Sequence, residues 1–328
     1  MPVKHILLIH QGAIGDLIVS LPSFYAIRRA FPDAIVEAMG YPSTLSLINK
    51  RFYAETVCSV DRAEMASLYN EQGHVHPDLI ASIERFEKIF IFGGNAQKIA
   101  MQNLASLHGP ELIHIKTFPA GENKHVIDFQ REQLHALGYD TALKIPRLFL
   151  QAEDFAEAQN FLTRQNLKGP FLPLIAIHPG SGSSKKNWPV DCYAALIHEL
   201  YRTVRGTILL IEGPADGNSV SQLKRELAGI SPVMLQSLEL PVLAAILKEC
   251  TLFIGNDSGI THLAAAMGIP VVAIFGPTDQ RIWGPRGEKV KVLKKASKEG
   301  AGVQWIRPAT VLEMVLPMLN ELPGALIR

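Results

Sequence analysis

The sequence predicts an α/β chain built on two doubly wound parallel sheets, and three observations carry that expectation. Short apolar, β-branched runs recur along the 328 residues. They are apolar throughout rather than alternating, as parallel strands covered on both faces are. Amphipathic segments separate them, and the whole pattern occurs twice, on either side of a glycine- and proline-rich break, GPFLP, at 169–173. A chain of this length can bury two separate cores.

In the first part the strand-like runs are ILLIH (6–10), AIVEAM (34–39), TVCSV (56–60), KIFIFGG (88–94) and ELIHI (111–115). In the second they are LIAIHPG (174–180), TILLIEG (207–213), LFIGND (252–257) and PVVAIFG (270–276). Between the halves, Glu153 to Gln165 reads as an amphipathic segment. We therefore expect one domain over 1–160 and a second over 161–328. Residues 294–302 read as a polar loop, and Pro308, at a position where proline suits a helix start, opens a final helix running to Leu322. No repeat of solenoid period interrupts this scheme.

Composition removes several functional classes. A net charge of +1 gives no global basic field, and 7% aromatic content gives no stacking ladder, so extended nucleic-acid binding is not expected. Cys58, Cys192 and Cys250 are widely spaced with no CxxC pair, which suits a reducing compartment. The opening MPVKHILLIHQG fits a first strand better than a signal peptide, and no run approaches the ~18 apolar residues of a membrane helix. A cytoplasmic protein is expected, with room for peripheral contact at a membrane. There is no DxD, HExxH or paired Cys/His set, so no metal site is expected.

In open α/β sheets ligands lie beyond the carboxyl ends of the strands, so three loops carry the functional expectations. The first is HQGAIGDLIVSLP (10–22), where Gly12 and Gly15 allow a tight turn and Asp16 falls at the start of a helix. That aspartate is equally what a helix cap requires. The second is HPGSGSSKKNWP (178–189), in which backbone amides, serine hydroxyls and a lysine ammonium could cradle a phosphate, though a solvated loop explains it as well. It departs from the Walker A pattern, because no GxxxxGK precedes a Ser or Thr.

The third loop, GNDSGITHLAAAMGIPVVAIFGP (255–277), is the most informative. Asp257 or Ser258 can cap a helix whose first N–H groups belong to Gly259, Ile260 and Thr261, and the helix dipole adds positive potential at the same point. Ser258 and His262, four apart, share a face of the first turn. Gly268 should end the helix and Pro270 should open a buried strand. Two anion-compatible loops in one half point to a diphosphate. A further loop, GPADGN (213–218), could contact a nucleoside or be a plain turn.

These three loops, in this order, resemble glycosyltransferase family 9, the ADP-heptose:lipopolysaccharide heptosyltransferases, and the resemblance spans almost the whole chain. It implies the GT-B architecture, two Rossmann-like domains facing across a cleft, with the terminal helix of about 308–322 returning to the first. It also implies an inverting transferase. Asp16 matches the general base, with Gly12 and Gly15 in the acceptor-side loop. Lys186 matches the phosphate-binding lysine, Asp257, Ser258, Gly259 and His262 the nucleotide-diphosphate loop, and Ser181 and Gly182 further donor contacts. The resemblance implies an ADP-heptose donor, an anionic lipopolysaccharide-core acceptor at the inner membrane, and no cofactor. Lys98, Lys116, Lys124 and Arg131 are acceptor-contact candidates that also read as ordinary surface charge. The chain's departure from the better-known members around Asp216, Gly217 and Asn218 leaves the donor open. A transferase of another nucleotide sugar onto a different cell-surface glycan, or a silent nucleotide-sugar binder, would keep the same loops.

Overall fold

The computed structural model describes residues 3–94, 98–107, 109–121, 123–167, 173–295 and 304–320. The chain divides into two compact units, Met1–Phe149 and Leu150–Arg328. Each is a parallel sheet whose strands are separated by helices.

The first unit runs β1 (His5–His10), α1 (Ile14–Ala30), β2 (Ile35–Gly40), α2 (Pro42–Leu45), β3 (Thr56–Ser59), α3 (Pro77–Ile83), β4 (Lys88–Gly93), α4 (Lys98–Ala105), β5 (Glu111–Lys116) and α5 (Val126–Ala136). Its strand order is β3-β2-β1-β4-β5. β1 pairs with β2 on one side and β4 on the other, with Leu8 opposite Ala38 and Phe90. The chain therefore winds outward from β1, then returns and winds the other way.

The second unit runs α6 (Ala152–Arg164), β6 (Leu174–His178), α7 (Val190–Thr203), β7 (Thr207–Glu212), α8 (Gly217–Glu226), β8 (Val233–Gln236), α9 (Leu240–Lys248), β9 (Leu252–Asn256), α10 (Gly259–Ala266), β10 (Val271–Phe275), α11 (Gln280–Trp283), β11 (Val290–Lys294) and α12 (Pro308–Asn320). The order is β11-β10-β9-β6-β7-β8, with the reversal between β6 and β9. Every residue of β6, β9 and β10 is buried, which is why those strands are apolar from end to end.

Nine strands fall where the apolar runs predict them. The two that the runs do not mark, β8 and β11, are the outermost strands of the second sheet, and only Leu235 among their residues is buried. A strand covered on one side needs no continuous apolar run. Gly268 closes α10 with φ +74°, the left-handed conformation expected of a glycine after a helix.

Two expectations about the halves change. The division falls between Phe149 and Leu150 rather than at 160, because α6 packs on α9 of the second unit. The terminal helix, expected to return to the first domain, packs on α7 and β10, and Val311, Val315 and Leu319 enter the core of the second unit. Residues 321–322 of the helix expected there, most of the 169–173 break and most of the 294–302 loop lie outside the described residues.

Candidate active site

In the first unit the reversal point lies between β1 and β4, and α1 starts there. Ala13 has no side chain able to cap α1, so the Asp16 carboxylate takes that role, accepting the Ala13 N–H at 3.0 Å. Gly12 is required by packing: a Cβ there would stand 2.5 Å from the Asp16 Cβ and 2.8 Å from a His10 ring carbon. Gly15 lies in the first turn of α1. Gly12 and Asp16 are thus locked together at the strand end.

Beneath them His10 is 2% exposed. The Gly12 N–H donates to its Nδ1 at 3.3 Å, its Nε2 lies 3.3 Å from Ser20 Oγ, and that hydroxyl donates to the Asp16 carbonyl at 2.8 Å. Since Nδ1 accepts, Nε2 carries the proton. Burial pushes the His10 pKa down to about 4. It is a neutral strut under the aspartate.

Of the basic residues considered for acceptor contact, Lys124 pairs with Glu132 at 2.6 Å, and Arg131 pairs with Asp128 at 3.1 Å and donates to the Thr141 carbonyl. Lys98 and Lys116 line a single recess with His114 and Met101. The structure thus separates two locally paired residues from two that share one surface.

In the second unit the reversal point gathers the other two loops. Ser258 is the N-cap of α10, its Oγ accepting the Thr261 N–H at 3.3 Å. The Gly259 and Ile260 N–H groups are left at the helix end without a partner among the described residues. Asp257, the alternative cap, turns instead to Lys186, whose Nζ lies 2.9 Å from its Oδ2. Asp257 is buried while the lysine is about one-third exposed, so the ammonium is held at one side and faces solvent on the other. His262 is buried one turn into α10. Ser181 Oγ lies 2.6 Å from Asn187 Oδ1 and 2.7 Å from the Ser183 carbonyl, shaping its own loop. Gly182 has open space around it.

Several contributors lie within these loops but carry no role that the motifs assign. Asn256, fully buried at the end of β9, donates through Nδ2 to the Pro179 carbonyl at 2.7 Å and accepts from Trp188 N–H at 3.0 Å and Tyr193 OH at 2.9 Å. One amide side chain therefore ties the loop after β6 to the strand leading into α10. His178, last residue of β6, lies 3.2 Å from Ser258 Oγ through Nδ1 and 2.9 Å from Asp216 Oδ2 through Nε2. Asp216 also accepts the Gly213 N–H at 2.8 Å. Burial works against its charge, but the hydrogen bond and charge of His178 and the Gly213 amide outweigh burial, and its pKa falls below the ordinary carboxylate value. A Cβ on Gly180 would lie 1.8 Å from Asp216 Oδ1, so that position admits only glycine. The carboxylate considered for a nucleoside contact thus points into the protein. Spacing along the chain gives no sign of a contact between residues 38 apart.

Among the described residues no cluster of three or more His, Cys, Asp or Glu could hold a metal ion, and no helix is long and apolar enough to cross a membrane.

Comparison with known proteins places this arrangement. Residues 95–304 match the model of glycosyltransferase family 9 (heptosyltransferase). Over 97% of its length the chain is 24% identical to lipooligosaccharide heptosyltransferase 2 of Haemophilus influenzae, covering 99% of that protein. Its fold is similar to a family 9 glycosyl transferase from Veillonella parvula, at TM-score 0.80 and 21% identity over 98% of this chain and 99% of that one. It is also similar to E. coli ADP-heptose LPS heptosyltransferase II, at TM-score 0.74 and 20% identity over 97% and 99% of the two chains. These likenesses give the fold as GT-B, with two Rossmann-like parallel-sheet units. With a family match over well more than half its length, the chain belongs to glycosyltransferase family 9, the heptosyltransferases, and is a glycosyltransferase.

Proposed function

We propose that this enzyme is an inverting transferase that moves a heptose from ADP-heptose to an inner-core acceptor of lipopolysaccharide, at the cytoplasmic face of the membrane that carries the acceptor. The observation that carries the donor half is the group around the start of α10: two unpartnered backbone amides, the Ser258 hydroxyl and the Lys186 ammonium held beside Asp257. Those are fixed donors and a fixed charge where a diphosphate would leave, and preorganised groups of this kind stabilise developing charge without reorganising. The donor nucleoside and sugar follow the name of the E. coli structural neighbour, an ADP-heptose heptosyltransferase.

Asp16 would act as general base. As the acceptor oxygen attacks the anomeric carbon from the face opposite the diphosphate, its proton passes to the Asp16 carboxylate, while the carbon–oxygen bond to phosphate breaks and its electron pair leaves with the nucleotide. Ser181, Gly182, Gly259 and His262 complete the donor loops, and Gly12 and Gly15 the turn that presents Asp16. Lys98 and Lys116 are the candidates for an anionic acceptor. Lys186 and the helix dipole would do the electrostatic work a divalent ion does elsewhere, so transfer should survive EDTA.

The deciding experiment incubates purified enzyme with ADP-heptose and a heptose-deficient lipopolysaccharide core and reads the product by mass spectrometry. A mass gain of one heptose is expected, and its absence with full donor recovery would sink the assignment. A second reading, transfer of another nucleotide sugar, is favoured by the inward-facing Asp216, which leaves the loop at 213–218 without that carboxylate for a ribose. A thermal-shift panel of ADP, GDP, UDP and their sugars separates the two, since selective binding raises the melting temperature.

A further inference from the structure

His178 and Asp216 are not required by the proposed transfer, yet they sit directly behind the diphosphate loop. Three adjacent strands, β7, β6 and β9, converge at their carboxyl ends on one buried chain of contacts. It runs from Asp216 Oδ2 to His178 Nε2 (2.9 Å), from His178 Nδ1 to Ser258 Oγ (3.2 Å), from Ser258 Oγ to Thr261 Oγ1 (3.1 Å), and from the Thr261 hydroxyl to the Asn256 carbonyl. Each of these side chains is more than nine-tenths buried.

Each link needs one proton, and the chain can be counted from both ends. At one end Asp216 is an ionised acceptor, so His178 Nε2 must carry a hydrogen. At the other, the Asn256 carbonyl only accepts, so the Thr261 hydroxyl spends its proton there. Thr261 Oγ1 then presents only lone pairs to Ser258, and the Ser258 proton must fill that gap. Ser258 Oγ, which also accepts the Thr261 N–H, has one lone pair left for His178. If every one of these contacts carries a hydrogen, Nδ1 is an N–H as well. Four links require four protons, and a neutral imidazole would leave the chain one short.

We propose that His178 is a buried imidazolium, paired with Asp216, that lends its charge to the departing nucleoside diphosphate through Ser258. It is a positioning residue, since it touches Ser258 and not the donor. When a phosphate oxygen arrives at the start of α10, the Ser258 O–H turns from Thr261 Oγ1 to that oxygen, while the Nδ1–H keeps hold of Oγ. The hydroxyl then donates with a cation behind it, and hydrogen bonds with a charged partner are about twice as strong as neutral ones. No proton needs to be transferred. The inference rests on the reading of this loop as a diphosphate site.

The test has two arms. In protein carrying 15N-labelled histidine, long-range 1H–15N spectra report the protonation of each ring nitrogen, and loss of one signal set in His178→Gln assigns the residue. Two protonated nitrogens are expected for His178, against one for His10 in the same sample. If His178→Gln does not fold, Asp216→Asn supplies the assignment and should convert His178 to a single protonated nitrogen. In the second arm, calorimetry with ADP should show affinity falling about 10-fold in His178→Gln and in Ser258→Ala, with the double variant no weaker than either single one. A single protonated nitrogen in the wild type, or additive losses, would overturn the role of His178 alone. Failure of ADP, GDP and UDP to bind at all would overturn the diphosphate reading and this role with it.

Discussion

Each sheet reverses direction beside a strand that ends in a buried histidine, and the two histidines are arranged in opposite ways. His10 at the end of β1 meets a backbone N–H and a serine hydroxyl, and its contacts close with a neutral ring. His178 at the end of β6 meets a carboxylate and the cap of α10, and in the proposed arrangement its contacts close with a charged ring. The same topological position is thus a neutral support in one unit and an ion pair in the other. The difference matches the work proposed for each side. A general base needs a rigid helix start and no cation beneath it, which would hold its carboxylate ionised and weaken it as a base; a leaving diphosphate needs positive charge.

The largest expected effect lies on the neutral side. Asp16→Asn keeps an oxygen that can accept the Ala13 N–H, so α1 should start normally, but the base is lost. Turnover should fall by about 10²- to 10⁴-fold with ADP affinity unchanged. Steady-state rates at saturating donor and acceptor, with calorimetry on ADP, check this, and near-normal turnover would return Asp16 to a purely capping role.

The strands and loops that frame the two histidines were legible in the sequence, the histidines' partners were not, and both have physical reasons. The fully buried strands declare themselves because a strand covered on both faces must be apolar throughout, whereas β8 and β11 at the sheet edge need only a half-buried face. A cap at Asp257 or Ser258 follows from residue type beside a helical run, and the structure gives the role to Ser258. The inward contacts of Asp216 and Asn256 were not legible because their partners are set by strand order: His178 meets Asp216 only because β6 and β7 are neighbours. The terminal helix was misplaced because an apolar helix face does not say which core it joins, and here Val311, Val315 and Leu319 join the second.

The glycines sharpen the ion-paired side. Gly180→Ala would drive a Cβ into the Asp216 carboxylate at 1.8 Å, forcing the aspartate off His178, whereas Gly182→Ala enters open space. We expect the first to cost about 3 kcal/mol of stability, the scale of a broken buried charged contact, and the second under about 1 kcal/mol. Denaturant unfolding of both variants measures it. Equal losses would mean that Asp216 can be moved cheaply, contrary to a fixed pair.

Lys186→Ala should weaken ADP binding by about 10- to 100-fold and adenosine binding hardly at all, because the lost contact is charge-assisted and confined to phosphate. Its removal also strips the buried Asp257 of its counter-ion, so part of the loss could come from a distorted loop. Lys186→Ala combined with Asp257→Asn removes that charge imbalance. The double variant should regain thermal stability but not ADP affinity, and recovered affinity would reassign Lys186 to holding the loop.

The smallest effect distinguishes the two histidines through acid stability. His10 has a folded pKa of about 4, below the ordinary 6.5, so between those values the unfolded chain binds a proton that the folded one refuses. Stability from this group is intact above about pH 6.5 and declines as pH falls toward 4. At pH 5 the deficit is about 2 kcal/mol relative to pH 7, from 1.36 kcal/mol per unit of pKa difference. His10→Gln removes the titrating group. Whatever the variant loses at pH 7 through weakened support of Gly12 and Ser20, its stability should fall less steeply than the wild type between pH 7 and pH 5. Urea unfolding at a series of pH values gives both curves, and parallel curves would show that His10 accepts a proton in the folded protein, erasing the contrast between the two reversal points.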